Sequence, residues 1–170
     1  VPKPDHTWRM TIGFRGINRK MLAYNYPAMT EADIWSRLHG STRFSKLDMT
    51  KFFWQFKLCP KSRECTAFMV PGMGMFCHNV LPMGVKIAPA VVQAFIDDIF
   101  RVKYDGPGPM HGKIALGNIC LSFMDDLIVY SDDKYHAHYV AFVLRTLQKH
   151  NVGARPQKCD LGRDRISFVG

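Results

Sequence analysis

The chain has 170 residues, of which 47% are hydrophobic and 12% aromatic, and this is enough for one packed domain. No apolar run is long enough for a membrane span, and no basic segment leads into an apolar one, so we expect neither a membrane protein nor a secreted one. Twenty-three Lys and Arg against 14 Asp and Glu give a net charge of +9, which favours a polyanionic partner, nucleic acid before membrane.

The N-terminal half of the chain predicts short strands around one helix. Alternating residues predict a strand over Trp8–Phe14, followed by a basic loop over Arg15–Tyr26. Thr30 predicts the cap of a helix over Glu31–Leu38, which Gly40 would end. The other elements predicted in this half are two strand-like pieces within Phe44–Leu58, a hairpin of Thr66–Val70 with Met75–Val80, and a loop over 81–84.

The C-terminal half predicts two helices around a central hairpin. Apolar residues recur at helical spacing over Ala88–Val102, where Pro89 suits the first turn. The segment 103–118 is rich in Gly and Pro and predicts an insertion loop. The later predicted elements are the hairpin Ile119–Ser131, a helix over His136–His150 and a last strand over Ile166–Val169. Because strands and helices do not alternate regularly, the predicted fold class is α+β with an antiparallel sheet.

The cysteines and histidines do not predict a metal site. The five cysteines are odd in number and form no C-x-x-C pair, so they fit neither a zinc site nor a disulfide framework and favour a reducing compartment. His136 and His138 are two positions apart and would point in different directions on a helix, so we expect both at the surface.

The most informative stretch contains two adjacent carboxylates. Asp125 and Asp126 stand between the apolar runs ICLSFM and LIVY, each of the length of a buried strand. Two residues between two strands predict a tight hairpin with these Asp residues in its turn. Carboxylates about 4 Å apart repel by roughly 1 kcal/mol in water and by about 4 kcal/mol in a half-buried site, and a divalent cation would make the interaction attractive.

Two further Asp-Asp pairs show that the dipeptide alone carries little information. Asp97-Asp98 lies in the predicted helix and indicates a solvated face, whereas Asp132-Asp133 indicates a strand exit and a helix N-cap. Asp125-Asp126 differs because apolar strands flank it on both sides and place it at the edge of a core, where functional loops concentrate.

A third carboxylate stands earlier in the chain. Asp48 ends an alternating segment in which Phe44, Lys46 and Asp48 share one face. If this strand lies beside the hairpin, three carboxylates converge at one end of a sheet, and oxygen ligands of this kind suit Mg²⁺ or Mn²⁺. Two such ions about 3.5–4 Å apart can activate a 3′-hydroxyl and stabilise a leaving pyrophosphate.

The order of five motifs resembles that of reverse transcriptases, closest to the fingers and palm of gypsy-type LTR retrotransposons and caulimoviruses, with retroviral enzymes more distant. The motifs are WRMTIGFRGIN, FSKLDMTKFFWQFKL, NVLPMGVKIAPAVVQ, SFMDDLIVYSDD and QKCDLGRDRISFVG. The resemblance covers the whole chain and implies a palm-type antiparallel sheet with helices on one face, together with a β-rich fingers subdomain. It implies fingers over approximately 1–43 and 59–81 and palm over approximately 44–58 and 82–170, with thumb and RNase H domains absent.

The resemblance implies an RNA-directed DNA polymerase that transfers deoxynucleotides to a primer 3′-end with Mg²⁺ or Mn²⁺. Its partners would be an RNA or DNA template-primer and deoxynucleoside triphosphates, in a polyprotein or larger assembly. The implied location is intracellular, in cytoplasm, virus-like particle or nucleus. Asp48, Asp125 and Asp126 match the metal-binding aspartates, with the Met49 carbonyl as a further ligand, and Lys158 matches the candidate general acid for pyrophosphate.

The remaining residues that match the family are expected to bind the nucleotide and the nucleic acid. Phe53 matches the aromatic steric gate, whose ring under the sugar would leave no room for a 2′-hydroxyl. The other matching positions are Arg9 and Lys3 at the triphosphate, Gln55 on the motif of Asp48, Met83 and Gly84 beside the base and primer, Met124 at the primer terminus, and Arg15 and Asn18 on the template side.

Several positions depart from the family pattern and keep alternatives open. Gly13 replaces an aspartate, Phe52 and Met83 replace other residue types beside the nucleotide, and segment 103–118 is longer than the family pattern predicts. One alternative is a diverged or domesticated module that binds nucleic acid or acts as a scaffold in a larger assembly. A basic α+β RNA-binding domain unrelated to polymerases, or a merely soluble basic protein, also remains open.

Overall fold

The fold is seen in a computed structural model that describes residues 11–27, 29–123, 126–132 and 134–167. Its α-helices are α1 (Arg15–Lys20), α2 (Glu31–Leu38), α3 (Pro60–Glu64), α4 (Ala88–Ile99) and α5 (His136–Lys149). Its strands are β1 (Arg43–Asp48), β2 (Phe68–Val70), β3 (Gly74–Phe76), β4 (Cys120–Phe123), β5 (Asp126–Ser131) and β6 (Asp160–Arg163). No helix in these ranges is both long enough and apolar enough to cross a membrane.

A four-stranded antiparallel sheet organises the chain, with strand order β4-β5-β1-β6. β1 and β5 pair over their full length, from Arg43 opposite Ser131 to Asp48 opposite Asp126. A separate two-stranded sheet joins β2 and β3, as the predicted hairpin requires. The predicted α+β class with an antiparallel sheet is confirmed.

The two faces of the sheet have different partners. One face carries Leu47, Leu127 and Val129, which are buried in one cluster with the apolar faces of α4 and α5. The opposite face carries Ile128 and Tyr130, which form a smaller cluster with Ile34 of α2. The two long helices lie on one face as expected, and the short helix α2 covers part of the other.

The helix predicted after Thr30 is present with the predicted bounds. The Thr30 hydroxyl donates to the Asp33 carboxylate at 2.6 Å and accepts from the Asp33 backbone N–H at 3.2 Å. These bonds form a capping box. Hydrogen bonds from the Thr30 hydroxyl and the Thr30 backbone N–H hold the pKa of Asp33 below its usual value. Gly40 follows the helix with φ of +81°, a conformation that glycine adopts without steric cost.

The prediction for the first 26 residues is wrong in part. Residues 11–14 form no strand, and residues 8–10 lie outside the described ranges. The predicted basic loop contains helix α1, because Phe14, Ile17 and Met21 recur at helical spacing and pack on the main core. Net positive charge in this segment conceals that spacing.

The segment 103–118 is irregular, as predicted, but its ends belong to the core. Lys103 pairs with Ala115, and Tyr104 and Leu116 are completely buried. The Tyr104 ring meets the rings of Tyr139 and Phe142 edge-on at 5.0 and 5.1 Å. The segment therefore helps to hold α5 on the sheet, and an aromatic residue inside a Gly- and Pro-rich tract was the signal for this.

Two further boundaries differ from the sequence predictions. The last strand in the described residues is β6, which comes earlier in the chain than the predicted strand Ile166–Val169. Ile166 packs beside the smaller cluster. Residues 168–170 lie outside the described residues. The N-cap residue of helix α5 is Tyr135, and its side chain makes no capping hydrogen bond. The predicted cap at Asp132-Asp133 is therefore wrong for Asp132, whereas Asp133 lies outside the described residues.

His136 is a buried link between strands, and its predicted surface position is wrong. Its Nε2 lies 2.8 Å from the Ser45 hydroxyl of β1, and its Nδ1 lies 2.8 Å from the Ser131 hydroxyl of β5. The Ser45 oxygen also accepts from the Gly162 N–H of β6 at 2.9 Å. One imidazole therefore ties α5 to three strands, and His138 is exposed as predicted.

His136→Leu should destabilise the domain by about 2–4 kcal/mol, because it leaves the buried Ser45 and Ser131 hydroxyls without this partner. The measurement is the urea midpoint of unfolding. The matched control is His138→Leu on the exposed side of the same helix, where we expect a change within about 0.5 kcal/mol. Equal shifts for both variants would show that the buried bridge does not stabilise the fold.

Candidate active site

Two carboxylates face each other at one end of the main sheet. Asp48 is the last residue of β1 and Asp126 the first of β5, and the two are register partners. Directly opposite residues point to the same face of an antiparallel pair, with Cβ atoms about 4.5–5.5 Å apart. This face also carries Ile128 and Tyr130, so the carboxylates lie where the apolar cluster gives way to solvent.

The central hairpin strands are present, and Asp126 lies in their ladder and not in a turn. Phe123 of β4 pairs with Asp126 of β5. Met124 and Asp125 lie outside the described residues, as do Lys3 and Arg9. The proposed contacts of these four residues remain predictions.

A lysine on the same face already neutralises Asp126. Lys46 lies two residues before Asp48 on β1, and its Nζ is 2.7 Å from Asp126 Oδ2. Both side chains are partly buried, with 25% and 32% of their surfaces exposed. The alternation of residues along β1 predicts this face for Lys46 but no role.

The backbone after Asp48 is fixed by the segment that leads to Lys158. The Arg155 N–H donates to the Asp48 carbonyl at 2.8 Å, and the Thr50 N–H donates to the Gly153 carbonyl at 3.0 Å. These bonds flank the antiparallel backbone pairing of Met49 with Ala154. The acceptor of the Arg155 N–H is the carbonyl of Asp48 and not that of Met49. Exposed Lys158 ends a short 3₁₀ helix that packs beside β1.

Gln55 locks the same two segments together. Its Nε2 donates to the carbonyls of Thr50 and Gly153, at 2.5 and 2.9 Å, and its Oε1 accepts from the Gly153 N–H at 2.7 Å. Gln55 therefore shapes the loop after Asp48 through backbone contacts. Any effect of Gln55 on the nucleotide would be transmitted through that loop.

The two adjacent phenylalanines after Asp48 occupy different environments. Phe52 is buried and meets the Phe56 ring edge-on at 5.6 Å, and Phe56 in turn meets Phe95 of α4 at 5.0 Å. Phe53 is half-buried at the margin of the core. The larger residue at 52 is thus accommodated in the core, and Phe53 is the ring that remains at the surface of the loop.

Asn18 of α1 holds the loop that contains Met83 and Gly84. Its Nδ2 donates to the Gly84 carbonyl at 2.9 Å, and its Oδ1 accepts from the Lys86 N–H at 2.9 Å. Gly84 has φ of +91°, and Met83 is exposed. These bonds give Asn18 a structural role, and the template contacts predicted for Asn18 and for exposed Arg15 on the same helix stay predictions.

Asp97 and Asp98 differ from the solvated pair that the sequence predicts. Asp98 is exposed, but Asp97 accepts hydrogen bonds from the Tyr26 hydroxyl at 2.9 Å and from Gln93 at 2.8 Å. The bond to Asp97 raises the pKa of Tyr26. Asp97 therefore anchors the chain before α2 to helix α4.

Asp48 and Asp126 are both partly exposed at their end of the sheet. Two clefts of about 450 and 440 Å³ lie elsewhere, between α2 and α4, and both are lined by Met29, Arg37 and Asp97. Within the described ranges, no three His, Cys, Asp or Glu side chains form a group suited to a metal ion, and Asp125 is not among those residues.

Comparison with known proteins decides the family. Residues 1–170 match the family described as reverse transcriptase (RNA-dependent DNA polymerase). The chain belongs to the reverse transcriptase family. This confirms the resemblance carried by the five sequence motifs.

This reverse transcriptase domain matches segments of larger polyproteins. The enzymatic polyprotein of cauliflower mosaic virus is 30% identical over 165 residues, covering 95% of this chain and 22% of the polyprotein. The Tf2-7 transposon polyprotein of Schizosaccharomyces pombe is 27% identical over 171 residues, covering 100% of this chain and 12% of the polyprotein. The chain therefore spans less than a quarter of the length of these relatives.

A solved structure shares the fold. The foamy viral protease-reverse transcriptase in complex with an RNA/DNA hybrid superposes with a TM-score of 0.82 at 23% identity, covering 100% of this chain and 21% of that one. At this identity the comparison shows the fold of the reverse transcriptase domain, and the roles of individual residues depend on the geometry described above.

Proposed function

We propose that this reverse transcriptase domain forms the fingers and palm of an RNA-directed DNA polymerase that extends a primer 3′-end with deoxynucleotides. The observation that carries the proposal is the register of β1 and β5, which sets Asp48 directly opposite Asp126 at one end of the main sheet. The net charge of +9 over the whole chain favours an RNA or DNA template-primer as the partner. We assign fingers to approximately 1–43 and 59–81 and palm to approximately 44–58 and 82–170.

The donor set at this end of the sheet fits a divalent cation. Asp48 and Asp126 offer carboxylate oxygens only, and the Lys46 ammonium, 2.7 Å from Asp126 Oδ2, already pairs a positive charge with that carboxylate. We place Asp125 and the Met49 carbonyl in the same site. Reverse transcriptases generally use divalent ions, and Mg²⁺ or Mn²⁺ in a pair would activate the primer 3′-hydroxyl and stabilise the leaving pyrophosphate.

The protein groups around the carboxylates have separate tasks in this proposal. The primer 3′-hydroxyl loses its proton to solvent, its oxygen forms a bond to the α-phosphorus as the bond to pyrophosphate breaks, and the Lys158 ammonium donates a proton to the pyrophosphate. The backbone bond from Arg155 to Asp48 supports this role, since it fixes the segment of Lys158 beside the site. Lys3 and Arg9 would bind the triphosphate, and Gly84 would contact the base.

Specificity for deoxynucleotides is assigned to Phe53. Its half-buried ring stands at the surface of the loop after Asp48, while Phe52 is fixed in the core. A ring under the sugar leaves no room for a 2′-hydroxyl. Met83 and Met124 would contact the base and the primer terminus, and Gln55 would keep the loop in place.

Primer extension on an RNA template with Mg²⁺ tests the proposed function. The full-length protein should extend a DNA primer with deoxynucleotides, and the Asp125→Asn variant should bind the same template-primer without extending it. Binding without extension by the wild-type protein would contradict a polymerase and would favour a nucleic-acid-binding role.

A further inference from the structure

We propose that Lys46 is a positioning residue that occupies the cation position at Asp126 in the metal-free protein and transfers to Asp160 when a divalent cation binds. This inference rests on the proposed function, because it concerns the same carboxylate site. The Lys46 ammonium would thus change its ion-pair partner from Asp126 to Asp160.

The first half of the inference rests on the contact with Asp126. The Lys46 Nζ lies 2.7 Å from Asp126 Oδ2, and both side chains are less than one-third exposed. Asp48 and Asp126 are directly opposite and carry like charges, which destabilises a cross-strand pair. The ammonium offsets this repulsion and orients the Asp126 carboxylate before any metal binds.

The second half rests on the strand at the other side of Lys46. β1 lies between β5 and β6, and on β6 the register partner of Lys46 is Asp160. Asp160 is exposed and has a long contact of 3.5 Å with Arg163, whereas Lys46 is paired with Asp126. Lys46 thus stands between two carboxylates, and the exposed one offers a place for its ammonium when a divalent ion takes Asp126.

The ammonium and a divalent ion compete for one carboxylate, so Lys46 must weaken metal binding while it stabilises the metal-free site. Two cations about 4 Å apart repel even in water, and the repulsion doubles when one of them is divalent. Removing the charge should therefore tighten metal binding by about tenfold. Transfer to Asp160 lowers this repulsion, so Asp160 should favour metal binding through Lys46.

The test is titration of the full-length protein with Mn²⁺ alone, with free Mn²⁺ measured by electron paramagnetic resonance. Lys46→Met should bind Mn²⁺ about tenfold more tightly than the wild type, and Lys46→Arg should bind like the wild type because it keeps the charge. Lys149→Met removes the same charge from the end of α5, on the other face of the sheet, and should change nothing.

Asp160→Asn tests the transfer itself. In the wild-type background it should weaken Mn²⁺ binding, and in the Lys46→Met background it should have little effect. Unchanged affinity in Lys46→Met, or equal weakening by Asp160→Asn in both backgrounds, would overturn the inference. If Asp126→Asn fails to weaken Mn²⁺ binding by the wild type, the metal site of the proposed function fails as well.

Discussion

Asp48→Asn should lower the rate of single-nucleotide incorporation by about a thousandfold or more. The substitution removes one of two facing carboxylates, and metal stabilisation of transition-state charge supplies several kcal/mol, at about 1.4 kcal/mol for each factor of ten. The measurement is a single-turnover primer extension by the full-length protein on an RNA template.

Measurements of stability and of template-primer binding distinguish a catalytic defect in Asp48→Asn from misfolding. Removing one of two like charges should leave the urea midpoint unchanged or slightly raised, and the affinity for template-primer should remain. Asp98→Asn is the matched control, because Asp98 is exposed on α4 and its carboxylate lies 3.8 Å from Arg101. Retained incorporation in Asp48→Asn would remove this residue from the catalytic site.

Phe53→Ala should reduce the preference for deoxynucleotides over ribonucleotides by about tenfold to a hundredfold, a range typical of steric discrimination by a few carbon atoms. The half-buried Phe53 ring lies on the loop that follows Asp48, and the proposed function assigns to it the exclusion of a 2′-hydroxyl. The measurement is the ratio of kcat/KM values for the two sugar types with the same base.

Phe52→Leu is the control for the gate. The Phe52 ring is buried against Phe56, so this variant should lose stability and keep the sugar preference of the wild type. If Phe52→Leu changed the sugar preference and Phe53→Ala did not, the gate would be Phe52 and the assignment to Phe53 would be wrong.

The sequence was most informative where its patterns are local. Thr30 and Gly40 mark the ends of α2 because capping chemistry depends on nearby backbone groups. The apolar runs around Asp125-Asp126 identify β4 and β5 because buried strands need such runs. The sequence left the pairing of β1 with the hairpin as a condition, and both the pairing and the register that sets Asp48 opposite Asp126 came from the structure.

The sequence was least informative where a contact joins distant residues. His136 is buried because hydroxyls of Ser45 and Ser131 meet its ring, and its spacing to His138 cannot reveal partners on two strands. The pairing of Lys46 with Asp126 depends on strand register in the same way. Basic residues in α1 also concealed the helical spacing of Phe14 and Ile17.

The carboxylate site is tested most directly by anomalous X-ray scattering from crystals of the full-length protein with Mn²⁺, template-primer and a nonhydrolysable deoxynucleotide. We predict an anomalous peak within about 2.5 Å of carboxylate oxygens of both Asp48 and Asp126. A complex with ordered nucleotide and no Mn²⁺ peak shared by these two residues would contradict the account.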